Sequence, residues 1–273
     1  IFSSGVTQIN ILVGTIIASF QPGAVSYLYY ADRIYQINLA IAGIAVGTVS
    51  LPVLSKASKV KNFSKISKIQ NKSIELSLLL SIPASLGLII ASDQIINGLF
   101  GYGSFTLKDV ELTADALKFF GFGLIAFAMV KILANFYFAR DNTKTPFYIS
   151  SFIVALNISI SLIFFNAIGF LIIPIATSIS TWVGVFIYLY LLSKNNLILI
   201  HNILFHNATR IIISSIIMSL FLIFSLEKFA EYLKYEHMYK SIYLLIIVGF
   251  AVGVYLISCF LFGLLKIKNY KTN

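Results

Sequence analysis

Asp32 and Arg33 stand side by side between two uncharged stretches, Ile1 to Ala31 and Ile34 to Ser55. A charged side chain deep in apolar surroundings costs at least about 2.5–3.5 kcal/mol on insertion scales, so such groups face a bundle interior or a wet cavity. Guanidinium is always charged, and its planar fork of donors matches phosphate oxygens. In a water-filled cavity Arg33 would suit a phosphorylated or otherwise anionic substrate. The competing reading pairs it with a carboxylate from another helix. On a helix Arg33 shares a face with Tyr29, Tyr30 and Gln36, and Ser26 lies one turn further on. Asp32 projects about 100° away, so the two charges need not pair. At ~1.5 Å of rise per residue, Arg33 lies roughly 12 Å below the outer end of its span, too deep for an interfacial anchor. Lys131 is the next cation inside an apolar run, with Lys118 between three and four turns before it. Lys131 either lines the same cavity or snorkels towards the cytoplasm.

The elements that must position these groups are transmembrane helices. Of 273 residues, 59% are hydrophobic and 11% charged, against about 25% charged in soluble domains. The mean hydropathy is +0.92. The apolar runs are continuous rather than alternating, which selects helices over a barrel. The fold class is therefore all-α, a polytopic transmembrane bundle of about eight spans. They run roughly over 3–20, 25–51, 74–97, 112–138, 146–165, 170–192, 210–226 and 241–264. The 49 uncharged residues from Thr145 to Ser193 exceed one span, so 166–169 should break them into a hairpin, and Pro174 should bend its second helix. Gly43 and Gly47 form a GxxxG, which reads as close helix packing. The last two spans show few polar residues to bury and read as contacts for lipid tails.

The net charge of +10 does not point to nucleic acid, because the basic residues cluster in short loops. One set holds Lys56, Lys59, Lys61, Lys65, Lys68, Lys72, Arg140, Lys144, Lys194, Arg210, Lys266, Lys268 and Lys271; the opposite set holds only Lys108, Lys228, Lys234 and Lys240. The positive-inside rule puts the first set and the C-terminus in the cytoplasm. The lysines of the 55–72 loop recur at three and four residues, which is either an amphipathic helix on an anionic leaflet or a solvated basic loop.

No catalytic set is visible. His201, His206 and His237 lie in or beside loops, no Ser/His/Asp grouping, CxxC or HExxH occurs, and Cys259 is the single cysteine, so neither a metal centre nor a disulfide is expected. Ile1 is not Met and no basic segment precedes the first apolar run, which excludes a signal peptide at this position and suggests a fragment lacking an N-terminal portion.

Three stretches carry a family resemblance. YLYYADRIYQINLAIAGIAVGTVSLPVLSK (27–56), FGYGSFTLKD (100–109) and VKILANFYFARDNTKTP (130–146) resemble, in order and spacing, motifs of the MurJ (MviN) lipid II flippases. The resemblance runs to about Leu192, with the last two spans fitting by position. These flippases belong to the multidrug/oligosaccharidyl-lipid/polysaccharide exporter superfamily and have two six-helix lobes around a cavity plus two extra helices. The resemblance implies that 1–195 form the second lobe, that 196–273 form the extra pair and a basic tail, and that the first lobe is absent. By position, Arg33 matches a cavity arginine thought to contact the lipid II pyrophosphate. Asp32 matches the acid before it, Ser26 a cavity serine and Lys131 a recurrent lysine, while Gln36 stands where Glu is frequent. Some members hold sodium between the first and fifth spans of this lobe. Asn157 and Thr177 match two ligand positions, but Gly14 replaces an Asp and Ser161 another acidic or amide ligand.

The implied function is flipping of lipid II, or another undecaprenyl-pyrophosphate-linked precursor, across the bacterial inner membrane by alternating access. It needs no catalytic residue and no cofactor beyond possible sodium coupling. Its partners are the lipid-linked substrate, membrane lipids and the absent first lobe, with no nucleic acid. The alternatives are a related exporter of another lipid-linked sugar or of a drug, and an inactive membrane remnant.

Overall fold

A computed structural model describes residues 2–264, and the tail lysines Lys266, Lys268 and Lys271 lie outside the described residues. Among the described residues all regular elements are helices: α1 (Phe2–Ala18), α2 (Ala24–Leu39), a π-helical segment (Ala40–Ala45), α3 (Val46–Lys59), α4 (Phe63–Ile90), α5 (Ser92–Phe100), α6 (Leu107–Phe138), α7 (Lys144–Ile168), α8 (Ile172–Lys194), α9 (Asn202–Lys228) and α10 (Lys240–Leu261), with short 3-10 turns at Gly169–Leu171 and Ala230–Leu233. Six segments among the described residues are long and apolar enough to cross a membrane: Ala24–Lys59, Phe63–Ile90, Leu107–Phe138, Lys144–Lys194, Asn202–Lys228 and Lys240–Leu261. This is a multi-pass membrane protein.

The 51-residue segment Lys144–Lys194 is divided where the sequence anticipates it. Gly169 takes φ +74°, a left-handed conformation that glycine adopts without strain, and ends α7. Thr177 then meets Asn157, and Gly184 meets Ile153, the register of an antiparallel pair. Pro174 needs no bend in α8 to be accommodated. It falls in the first turn, where its missing N–H leaves no hydrogen bond unmade.

The hub is α6. Ala114, Ala116, Leu117, Leu124, Ala126, Ala128, Ile132, Leu133 and Phe136 on it are wholly buried, as expected of a helix apolar on all sides. It packs against α2, α4, α5 and α8. A capping box starts it: Thr106 Oγ1 accepts from the Asp109 N–H (3.3 Å), and Asp109 accepts from the Thr106 N–H (2.7 Å).

The two groups of loops gather at opposite ends of the bundle. At one end Tyr27 donates to Asp109 (2.8 Å), Gln21 accepts from the Phe170 N–H (2.9 Å), and Asn97 donates to the Leu233 carbonyl (2.8 Å). At the other, Gln70 and Arg140 donate to the Leu197 carbonyl (3.0 and 2.9 Å), and Ser67 and Asn71 donate to the Leu199 carbonyl (3.1 and 2.7 Å). These bonds pin the non-helical segment 197–201 against α4 and α6.

Two expectations change. The 55–72 stretch is not one amphipathic helix. α3 continues to Lys59, the chain turns at Lys61 (φ +50°), and Asn62 caps α4 by accepting from the Lys65 N–H (3.0 Å). The last two helices do bury polar groups: Ser214, Ser215, Ser219 and Ser225 on α9, and Lys240 and Ser258 on α10. Serine is small enough to let helix backbones approach closely, which an apolar hydropathy profile does not reveal.

Candidate functional site

The orientation of Arg33 follows from the opposite side of α2. Ala31, Tyr35, Leu39 and Ala42 recur at helical spacing and are buried. Tyr35 stacks on Phe120 of α6 at 5.3 Å between ring centroids, and Tyr30 is held by Phe100 (4.8 Å) and Phe105 (5.4 Å). With that side clamped, the 100° step per residue turns Ser26, Tyr29, Arg33 and Gln36 outward as one exposed polar stripe. The Arg33 guanidinium lies over the Tyr29 ring, 4.6 Å from its centroid, a cation–π contact worth ~0.5–1 kcal/mol at an exposed site. Tyr30, expected on the same face, points away to its aromatic partners. Gln36 donates its amide to Asp32 rather than approaching Arg33. Among the described residues the ion pairs are Lys72–Glu75 and Lys234–Glu231, so Arg33 makes no close ion pair, and Asp32 is near it only as its chain neighbour.

Lys131 serves a different place. It lines a cavity of about 420 Å³ together with Asn10, Thr48, Asn135, Asn157 and Thr181, and Arg33 does not reach that cavity. The GxxxG fixes its depth. A Cβ on Gly43 would stand 3.1 Å from the Ala128 backbone, and Asn135 donates to the Gly47 carbonyl (3.0 Å). Lys131 therefore sits at the level of Gly43 to Gly47, about 15–20 Å of helix rise from Arg33. The GxxxG packs closely on α6 as its spacing predicts, and Gly43, Ile44 and Gly47 form part of the wall of this cavity. Sequence reasoning missed Asn135 and Thr48. Asn135 lies one turn from Lys131, a spacing that could have flagged it.

Asn157 and Thr177 do meet. Asn157 Nδ2 donates to Thr177 Oγ1 (2.9 Å), Thr177 Oγ1 donates to the Ile173 carbonyl (2.7 Å), and Ser161 donates to Asn157 Oδ1 (3.2 Å). Each side chain has a partner within this chain of bonds. Three or more His, Cys, Asp or Glu side chains grouped to hold a metal are absent among the described residues.

A family model described as lipid II flippase MurJ matches residues 1–244. The chain belongs to the MurJ family. It is 36% identical over 275 residues to the "Probable lipid II flippase MurJ" of Rickettsia prowazekii (strain Madrid E), covering 98% of this chain and 52% of that protein. It is 40% identical over 182 residues to the protein of the same description from Rhizobium meliloti (strain 1021), covering 67% and 34%. Among solved structures, "Lipid II flippase MurJ, inward closed conformation" superposes with a TM-score of 0.79 at 29% identity, over 95% of this chain and 52% of that one. An outward-facing MATE transporter of the MOP superfamily superposes with a TM-score of 0.63 at 18% identity, over 94% and 59%, which shows the shared fold alone. The chain spans about half the length of the MurJ relatives it matches end to end.

Proposed function

We propose that this chain is one lobe, with its additional helix pair, of a transporter that flips lipid II across the bacterial inner membrane. The observation that carries the reading is the unpaired Arg33 guanidinium on an exposed polar stripe of a MurJ-family chain. Residues 1–195 act as the six-span lobe and 196–273 as the pair beyond it. Counting α1, and α7 and α8 separately, gives eight crossings, with the lysine-rich end and the C-terminus in the cytoplasm. The chain works opposite a second lobe that supplies the other half of the cavity.

In this role Arg33 holds the pyrophosphate of the substrate through its donor fork. Ser26 and the Asp32–Gln36 pair flank it with hydrogen-bonding groups, and Lys131 on α6 offers a second cation at a different depth. The work is non-covalent and needs no acid–base residue. Gln36 in place of an acid removes one negative charge beside Arg33, which favours an anionic lipid-linked substrate over a cationic drug. Sodium at Asn157 and Thr177 would have to break the bonds that both groups already make, so the pair acts as a clamp between α7 and α8. Coupling then comes from membrane potential or from another ion.

The test joins this chain to the first half of the Rickettsia prowazekii relative, in cells depleted of their own flippase, and follows lipid II externalisation. Flipping by the chimera and loss with Arg33→Ala, at equal membrane insertion, support the reading. Undiminished flipping by Arg33→Ala overturns the role of that residue. Insertion without flipping in the parent chimera overturns the substrate.

A further inference from the structure

The lysine-rich end carries a second cavity that the flipping stripe does not use. It measures about 370 Å³ and lies between the α3–α4 turn and the segment 196–199. Its walls hold Lys61, Arg140, Ser58, Gln70 and Asn196, and none of its lining residues is acidic. Arg140 is half-buried there. It gives one N–H to the Phe136 carbonyl and another to the Leu197 carbonyl (2.9 Å), which leaves further donors of its guanidinium free. The hydroxyl of Ser58 is buried with no partner in the protein. Lys61 is exposed and makes no ion pair among the described residues.

The surroundings select the ligand. Lys56, Lys59, Lys65, Lys68 and Lys194 belong to the same end and outnumber its acids, Asp141, which is exposed beside Arg140, and Glu75, which is engaged by Lys72 (2.6 Å) and Asn207 (3.0 Å). Beside this positive field stand bare apolar side chains: Val60, Phe63 and Leu199 are between 64% and 76% exposed. A cavity with cationic donors and an orphan hydroxyl, rimmed by exposed apolar groups at the end of a transmembrane bundle, has the two halves of a lipid-recognition site. We propose that it binds the phosphate headgroup of an anionic phospholipid. Lys61 and Arg140 hold the phosphate, Ser58 donates to it, and the acyl chains run along Phe63, Val60 and Leu199. The site is separate from the flipping stripe and does not rest on the flippase reading.

The experiment uses the whole chain purified in detergent, with lipid retention measured by native mass spectrometry. The probes are phosphatidylglycerol, phosphatidylcholine and free glycerol phosphate. Phosphatidylglycerol should be retained over phosphatidylcholine. Lys61→Asn, which suits the left-handed turn, should weaken its binding about fivefold. Lys68→Gln, at the same end but outside the cavity, should change it by less than about twofold. Arg140→Lys, which keeps the charge and loses the fork, should fall between these two. Equal weakening by Lys68→Gln would show diffuse surface charge, and equal retention of phosphatidylcholine would show an apolar surface only. Displacement of the lipid by glycerol phosphate at matching concentration would show a site for soluble phosphate. Each of these three outcomes overturns the proposal.

Discussion

Arg33 and Lys240 are both cations within helical segments of a mostly apolar chain, and their surroundings could hardly differ more. Lys240 is 1% exposed. Its ammonium donates to the carbonyls of Gly101 and Tyr235, both at 2.6 Å, and sits 4.3 and 4.4 Å from the ring centroids of Tyr102 and Tyr235. Nearby, Ser241 donates to the Gly98 carbonyl (2.7 Å) and Tyr235 to the Phe105 carbonyl (2.7 Å). This cage ties the start of α10 to the α5–α6 connection. Arg33, by contrast, has one aromatic ring beneath it and no close ion pair among the described residues, the neighbouring Asp32 carboxylate being engaged by Gln36. A buried charge persists only when donors, acceptors and rings replace its water. A cation so enclosed holds structure together, whereas one left open on a membrane helix is available to a ligand.

The comparison can be broken at either end. The largest effect expected is at Arg33: Arg33→Ala in the chimera should reduce lipid II externalisation at least tenfold while stability moves by less than ~0.5 kcal/mol. Arg33→Lys should recover part of the activity, because it keeps charge and loses the bidentate fork. Lys240→Met should show the reverse pattern, lowering stability by about 2–4 kcal/mol through the lost charged hydrogen bonds and ring contacts. Thermal unfolding in detergent would show it, and an unchanged midpoint would mean that the cage is not structural.

Gly43→Val sharpens the contrast by moving the platform that presents Arg33. Its side chain would meet the Ala128 backbone, and such overpacking costs about 1–3 kcal/mol. Crosslinking between cysteines introduced on α2 and α6 should report the two helices moving apart. The smallest effect belongs to the α7–α8 clamp. Asn157→Ala should cost about 0.6–1.7 kcal/mol, the range of interhelical polar bonds in membranes, and the loss should be equal in sodium and potassium buffers. Stabilisation of the parent chain by sodium alone would overturn the clamp reading and restore the ion site.

Much of the helical plan was legible in the residues. Uncharged runs marked the long apolar segments, the GxxxG predicted close packing on a neighbour, and a φ-permissive Gly169 was available where one apolar run exceeded a single span. The Tyr-Ala-Asp-Arg motif singled out Arg33 by residue type and position alone. Other features were misplaced for identifiable reasons. Lys240 looked like an outer-loop charge because its acceptors are backbone carbonyls, which every residue carries. The serines of α9 looked unremarkable because a hydroxyl barely lowers hydropathy. The 55–72 segment showed helical spacing, but Asn62 is a capping residue as well, and that local signal divided it.

The sequence by itself determined that this chain is a helical membrane protein, that its charges segregate to one end, and that an arginine stands deep within one helix. These are properties of composition and local spacing, set by the cost of placing charge in lipid. Only the tertiary structure decided which way that arginine faces, because its direction depends on Tyr35 and Tyr30 docking on distant aromatics. It also separated Lys131 from Arg33 by depth, closed Asn157 onto Thr177, and brought Gly101 and Tyr235 around Lys240. Each of those outcomes rests on groups far apart in the chain meeting at hydrogen-bonding or packing distance, and linear spacing carries no record of such meetings.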